Sequence, residues 1–175
     1  MVWKITAEEL LARYAAGERN FAGVDLGGSH SKNIRPILSN VDLREIDLCG
    51  ANLEMIDFCL SDLSGARLFG ACLSYSYLIK TNFTGADLRY ATIDWSNGRE
   101  VNFTNANMQG IDLTTSNFSK SIWYSNNLKS AILIRTNLID AQGWRSGSGD
   151  AYNALLWETI HPNGDTTEGP ERSEW

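Results

Sequence analysis

Long apolar runs are missing from this chain of 175 residues. None approaches the roughly 18 residues that a membrane-spanning helix requires, so no span is expected. The opening stretch MVWKITAEELLARYAAG lacks a basic start followed by an apolar run and a small-residue cleavage site. It reads as a short amphipathic helix rather than an export signal. Histidine is nearly absent: His30 and His161 are the only two, and neither has a Cys or Asp at metal-ligand spacing. Without a base beside the many Ser and Thr, nucleophilic catalysis of the Ser-His kind is unsupported. The three cysteines, Cys49, Cys59 and Cys72, are odd in number and never spaced as C-x-x-C. They read as free thiols of a reducing compartment, which points to the cytoplasm and to no structural metal.

Basic charge is also in short supply. The net charge is −6, with 5 bases and 4 acids over residues 1–40, 8 and 11 over 41–140, and 2 and 6 over 141–175. A phosphate-binding protein shows a basic face, so direct nucleic-acid binding is not expected, whereas a basic partner is permitted. The segment VDLGGS has neither the further glycines nor the Lys of a phosphate-cradling loop, and no cofactor is implied.

What the chain does have is a period of five. From Val41 to Asp140 it runs through 20 consecutive pentads without a slip. The central residues are Leu43, Leu48, Leu53, Phe58, Leu63, Leu68, Leu73, Leu78, Phe83, Leu88, Ile93, Gly98, Phe103, Met108, Leu113, Phe118, Trp123, Leu128, Leu133 and Leu138. Two places before each centre, 14 of 20 positions hold Ala, Ser or Thr, and the place just before is often Asp or Asn. Helices repeat their apolar residues at about 3.6 and half-buried strands at about 2, so neither accounts for this step. One large and one small inward residue in five suits one short side of a narrow coil. Such a side cannot bury its face alone, so coils must stack and share a core. Asp and Asn suit the turns because their side chains bond to nearby backbone. The sequons at Asn82, Asn102 and Asn117 are by-products of the same repeat.

The run resembles the A-(D/N)-L-x-x pattern of the pentapeptide-repeat proteins over residues 41–140. That resemblance implies an all-β solenoid, a right-handed quadrilateral parallel β-helix with four pentads per coil. About five coils would follow, stacked at roughly the ~4.8 Å spacing of β-strands. The capped ends and the extra loop are similar to the small pentapeptide-repeat proteins of cyanobacteria, most of which have no assigned biochemical activity.

Around this run the expected organisation is a helical N-terminal cap over 1–18, a first partial coil over 19–28, an inserted loop over 29–40, the β-helix over 41–143, and a C-terminal cap and tail over 144–175. Thr6 with Glu9 forms a capping box for a helix of about residues 7–16. The fragment centred on Phe21 and Leu26 is out of phase with the later repeat, so the loop bulges, and its Ile34, Ile37 and Leu38 need cover. DAYNALLWETI, residues 150–160, resembles a second short helix, and Asn163-Gly164 a turn. Trp144, Leu155, Leu156 and Trp157 would then plug the last coil or pack against a second copy of the chain. At the irregular centre Gly98, Phe118 one coil on is expected to fill the missing volume, the alternative being a kink or outward loop that displays Trp95 and Arg99, and Trp123 marks a widening.

The candidate binding surface is the outward column Met55, Tyr75, Trp95, Thr115, with Tyr77 and Ile79 beside it. Exposed aromatics of this kind are enriched in interface cores. The opposing expectation is that the inserted loop buries this side. Function is therefore read as a non-enzymatic scaffold that binds an unknown protein partner through its outer faces. The alternative, which the resemblance suggests, is a DNA mimic that inhibits DNA gyrase or another DNA-binding protein.

Overall fold

Parallel pairing at a constant offset of 20 residues organises the protein. Asp42 pairs with Asp62, Asp62 with Asn82, Asn82 with Asn102 and Asn102 with Ile122, and parallel columns run through Asp47, Asn52 and Asp57. A chain that meets itself every 20 residues through four such columns is a four-sided β-helix. The computed structural model describes residues 3–28, 32, 34–144 and 151–172. Each side contributes only one bridging residue, so named elements are few: β1 (Trp3–Lys4), α1 (Ala7–Ala15), β2 (Val24–Asp25), β3 (Ile132–Ile134), β4 (Leu155–Trp157) and β5 (Glu171–Arg172).

The pentad chemistry is visible at each of its positions. The nineteen large centres are all buried, and stacked coils bring them into contact, as with Phe83 on Phe103 at 5.6 Å between ring centroids. The Asp or Asn before a centre accepts a bond from the backbone N–H two residues on, for example Asp62 from Ser64 at 2.9 Å and Asn102 from Thr104 at 3.0 Å. The second residue after each centre turns the corner with positive φ, from Glu45 (59°) through Trp95 (53°) to Asp140 (58°). Fifteen of these twenty corner residues, from Glu45 to Asp140, are not glycine. The left-handed conformation costs such residues roughly 1 kcal/mol each, so it is imposed by the cross-coil hydrogen bonds and the core.

The small inward positions do more than let the walls approach. Ser96 Oγ accepts from Ser76 N at 3.0 Å and donates to Leu73 O at 3.0 Å. Ser116 Oγ likewise accepts from Ser96 N at 2.9 Å and donates to Ile93 O at 2.7 Å. A buried hydroxyl from each of these coils is thus inserted into the turn of the coil before it, where it serves one donor and one acceptor that would otherwise be unpaired.

Both irregular ends depart from the sequence-based boundaries. At the start, Asn20 pairs with Asp47 and Asp25 with Asn52, an offset of 27, whereas Ile37 already pairs with Asp57 at 20. The insertion is therefore seven residues, and the coil resumes near Pro36 rather than at Val41. Leu38 is a buried centre of that coil, while Ile34 and Ile37 stay exposed, so the cover expected for them is not made. At the other end, no second α-helix forms among the described residues of 150–160. Instead β4 pairs in parallel with β3, Ile132 to Leu155, an offset of 23. Ala154 and Leu156 are buried as the small and large members of one further pentad. That pentad, Ala-Leu-Leu-Trp-Glu, keeps the repeat after a three-residue slip, which outcompetes the helical propensity of Ala and Leu because the coil beneath offers a ladder and a core. Leu155 is half-buried, Trp144 packs edge-on to Trp123 at 5.5 Å, and Trp157 remains exposed.

Gly98 keeps its place in the ladder, donating to Asn117 O at 2.8 Å. A Cβ there would lie 2.2 Å from Phe118 Cε1, so the Phe118 ring occupies the space a side chain would need. Trp123 is buried between Phe103 (4.8 Å) and Phe118 (5.9 Å), and its coil continues through the Ile122–Gln142 pair, so no widening interrupts the stack. α1 begins with Thr6 Oγ1 accepting from Glu9 N at 3.1 Å, while the Glu9 carboxylate turns to Arg13 at 2.6 Å instead of completing the box. Its Leu10 joins the same core as Phe21 and Val24. After the Asn163-Gly164 turn the chain runs back, and β5 pairs antiparallel with β4.

Candidate interaction surface

The corner of the coil that follows centres Leu53, Leu73 and Ile93 carries Met55, Tyr75 and Trp95 in one column. The Tyr75 and Trp95 rings stack at 6.2 Å between centroids and 16° between planes. Trp95 is 56% exposed and Tyr75 37%, whereas Met55 is 6% exposed. The inserted segment explains that difference. Gly28 lies so close that a Cβ would meet Met55 Cβ at 2.8 Å and Ile34 O at 2.3 Å, so only glycine lets the segment cross there.

Arg35 from the same segment fastens it down. One guanidinium nitrogen donates to the carbonyls of Met55 (2.9 Å), Ile56 (3.3 Å) and Tyr75 (3.0 Å). The group also lies 3.9 Å over the Tyr77 ring, a cation–π geometry. The segment therefore covers Met55 and one face of Tyr77, and leaves Trp95 exposed. Neither of the two opposing expectations for this side holds in full. Tyr77 occupies the adjoining side of the coil, and Ile79 belongs to the next corner, where it lines a shallow groove with Cys59, Leu60, Lys80, Arg99 and Glu100. Of the five candidate residues, three share the corner, one flanks it beneath Arg35, and Ile79 lies apart.

Two contributors were missed from sequence. Arg35 sits in a segment whose course no periodicity describes. Asp94, on the same corner as Trp95, stands after its centre, where the repeat gives a carboxylate no turn bond. Its Oδ1 is buried and has no hydrogen-bond partner. Aspartates of the repeat proper are engaged: Asp87 is held below the usual carboxylate range, first by its bond to Arg89 at 2.7 Å.

Other candidate chemistry is accounted for locally. Burial, and then the bond to a neighbouring Asp, pushes the Cys49 and Cys59 thiols up, away from the thiolate that reactivity requires. His161 shapes the C-terminal turn, with Nε2 2.8 Å from Thr167 Oγ1 and its backbone N–H on Asp165 O at 2.8 Å. His30 lies outside the described residues. Among the described residues no group of three or more His, Cys, Asp or Glu is placed to hold a metal ion, and no helix is long and apolar enough to cross a membrane.

A sequence profile for pentapeptide repeats matches eight copies in this chain, over residues 35–65, 66–97 and 96–119. The chain belongs to the pentapeptide-repeat family. Its β-helix is accordingly the right-handed quadrilateral form of that family, whose members are generally structural or interaction proteins, and no catalytic family is indicated. Among solved structures, this pentapeptide-repeat protein is similar to HetL, involved in heterocyst differentiation regulation in the cyanobacterium Nostoc sp. strain PCC 7120. The two are 21% identical over 93% of this chain and 100% of that one, with a TM-score of 0.48. It is also similar to QnrB1, a plasmid-mediated fluoroquinolone resistance protein, at 15% identity over 70% of this chain and 68% of that one, with a TM-score of 0.52. A third, Rfr23 from the cyanobacterium Cyanothece 51142, is 23% identical over 79% of this chain and 99% of that one, with a TM-score of 0.43. Comparison with curated proteins gave no match.

Proposed function

We propose that this protein is a non-enzymatic scaffold of the reducing cytoplasm that binds a protein partner through the Tyr75–Trp95 corner. The observation that supports this reading most is a bulky aromatic, 56% exposed, at a left-handed corner position (φ 53°) where glycine would be cheapest. Folding gains little from Trp95, and a rigid, half-bare indole is the kind of side chain that anchors interfaces. In this reading α1 and the returning β5 segment close the two ends of the coil stack, so the sides are left for binding.

The test is a pull-down with wild type and a Tyr75→Ser, Tyr77→Ser, Trp95→Ser variant, with circular dichroism showing both folded. A protein identified by mass spectrometry on the wild type and lost on the variant supports the reading. Identical capture by both overturns it.

A second reading is a DNA mimic directed at gyrase, favoured by the fold shared with QnrB1 and the net charge of −6. Against it, residues 41–140 carry 11 acids and 8 bases, and no outer column is acidic throughout. A supercoiling assay decides the point: loss of gyrase activity at near-stoichiometric protein would promote the mimic.

A further inference from the structure

We infer that the partner of the aromatic corner presents an arginine-bearing segment, its guanidinium stacking on Trp95 and donating to the Asp94 carboxylate. This rests on the reading of that corner as the binding surface, and charge complementarity carries it. The corner and its flanks hold Glu54, Asp57, Asp94 and Asp112, and among the described residues no ion pair engages any of the four. Arg35 is committed to three carbonyls and the Tyr77 ring on the neighbouring side. Arg135, two coils above Trp95, is paired with Glu158 at 2.6 Å. Trp95 and Asp94 thus form an aromatic and anionic site whose carboxylate is paired with no cation among the described residues.

The geometry leaves room for one. Tyr75 covers one face of the Trp95 indole, while the next corner in the column carries Thr115, which brings no ring to the other face. Asp94 Oδ1 is buried without a donor, and none of the ion pairs engages the Asp94 carboxylate, so nothing among the described residues offsets its charge. A partner's guanidinium can meet that charge from the solvent side. Arginine fits better than lysine because its planar group can stack and donate at once. Arg35 already makes that pair of contacts elsewhere in the chain, 3.9 Å over Tyr77 while bonded to backbone carbonyls.

The experiment titrates the protein into a fluorescein-labelled nonapeptide of alternating Gly and Arg, read by fluorescence anisotropy. A Gly/Gln peptide of the same length is the neutral control. The arginine peptide is expected to bind wild type, more weakly as salt rises. Asp94→Asn and Trp95→Ala should each weaken binding by roughly three- to tenfold. Glu168→Gln, which removes one exposed charge far along the chain, should leave it unchanged.

Equal weakening by Glu168→Gln and Asp94→Asn would mean diffuse attraction to an acidic protein and would overturn the inference. So would failure of the arginine peptide to bind, or equal binding of the Gly/Gln peptide. Where the peptide fails but the triple serine variant still loses its captured protein, the arginine inference falls and the aromatic-corner reading stands. If that variant keeps every captured protein, both fall.

Discussion

Leu88 shows how little slack a centre has: it is fully buried in a coil whose neighbours are fixed by cross-coil hydrogen bonds. Leu88→Ala should lower the stability measured by urea unfolding by about 2–5 kcal/mol, because stacked coils cannot collapse into the cavity. Gly98 tests the opposite limit. Phe118 Cε1 lies only 2.2 Å from the point an added methyl carbon would occupy. Gly98→Ala should therefore cost about 1–3 kcal/mol by overpacking, and Phe118→Leu in the same chain should restore part of it. Charge at the residue scale is illustrated by Asp42, which Arg44 binds at 2.6 Å and holds at about 2 instead of 3.8. A depressed folded-state pKa stabilises above the unfolded value, and that contribution is lost as pH falls from about 4 towards about 2. Both groups are exposed, so the clearer readout is the Asp42 carboxyl carbon shift: its NMR midpoint near 2 should rise towards 3.8 in Arg44→Ala.

At the scale of one side of the coil, the buried hydroxyls are the feature with most consequence. Ser96 serves Ser76 N and Leu73 O together, so Ser96→Ala leaves a buried donor and acceptor unpaired. A loss of about 1–3 kcal/mol is expected on urea unfolding. Ser96→Thr should lose much less, since Thr136 makes the equivalent bond to Leu113 O at 2.9 Å two coils on. Equal losses for the two variants would show that the hydroxyl's bonds are not what the turn depends on. The corners belong to the same scale. Their positive φ is tolerable because corner N–H groups are tied to the neighbouring coil, as Glu45 N is to Ser64 O at 3.0 Å and Trp95 N to Thr114 O at 3.0 Å.

For the whole molecule, the exposed ladder at the end of the stack is the main liability. β5 pairs antiparallel to β4, and Thr167 N donates to Thr159 O at 3.0 Å, so the last coil does not present a free parallel edge there. Truncation after Gly164 should uncover that edge and give concentration-dependent association in light scattering. A strictly monomeric truncated protein, folded by circular dichroism, would show that the returning segment does not guard the end.

The sequence by itself determined the regular part: a period of five with a large and a small inward residue needs stacked coils to bury them, so the core and the Asx-bonded turns were legible from Val41 to Asp140, and the resemblance supplied the four sides of the coil. It did not determine the slips. A seven-residue insertion before Pro36 and a three-residue one before Ala151 break the phase, and Ala154-Leu155-Leu156 reads as helix until the ladder of β3 is there to receive it. The candidate surface divides the same way. The column through Met55, Tyr75 and Trp95 follows from the period together with the four pentads per coil that the family resemblance implies. That Met55 is covered, Tyr77 sits beneath Arg35 and Asp94 is left unpaired was decided only in three dimensions, because the inserted segment is aperiodic and its course depends on the side against which it packs.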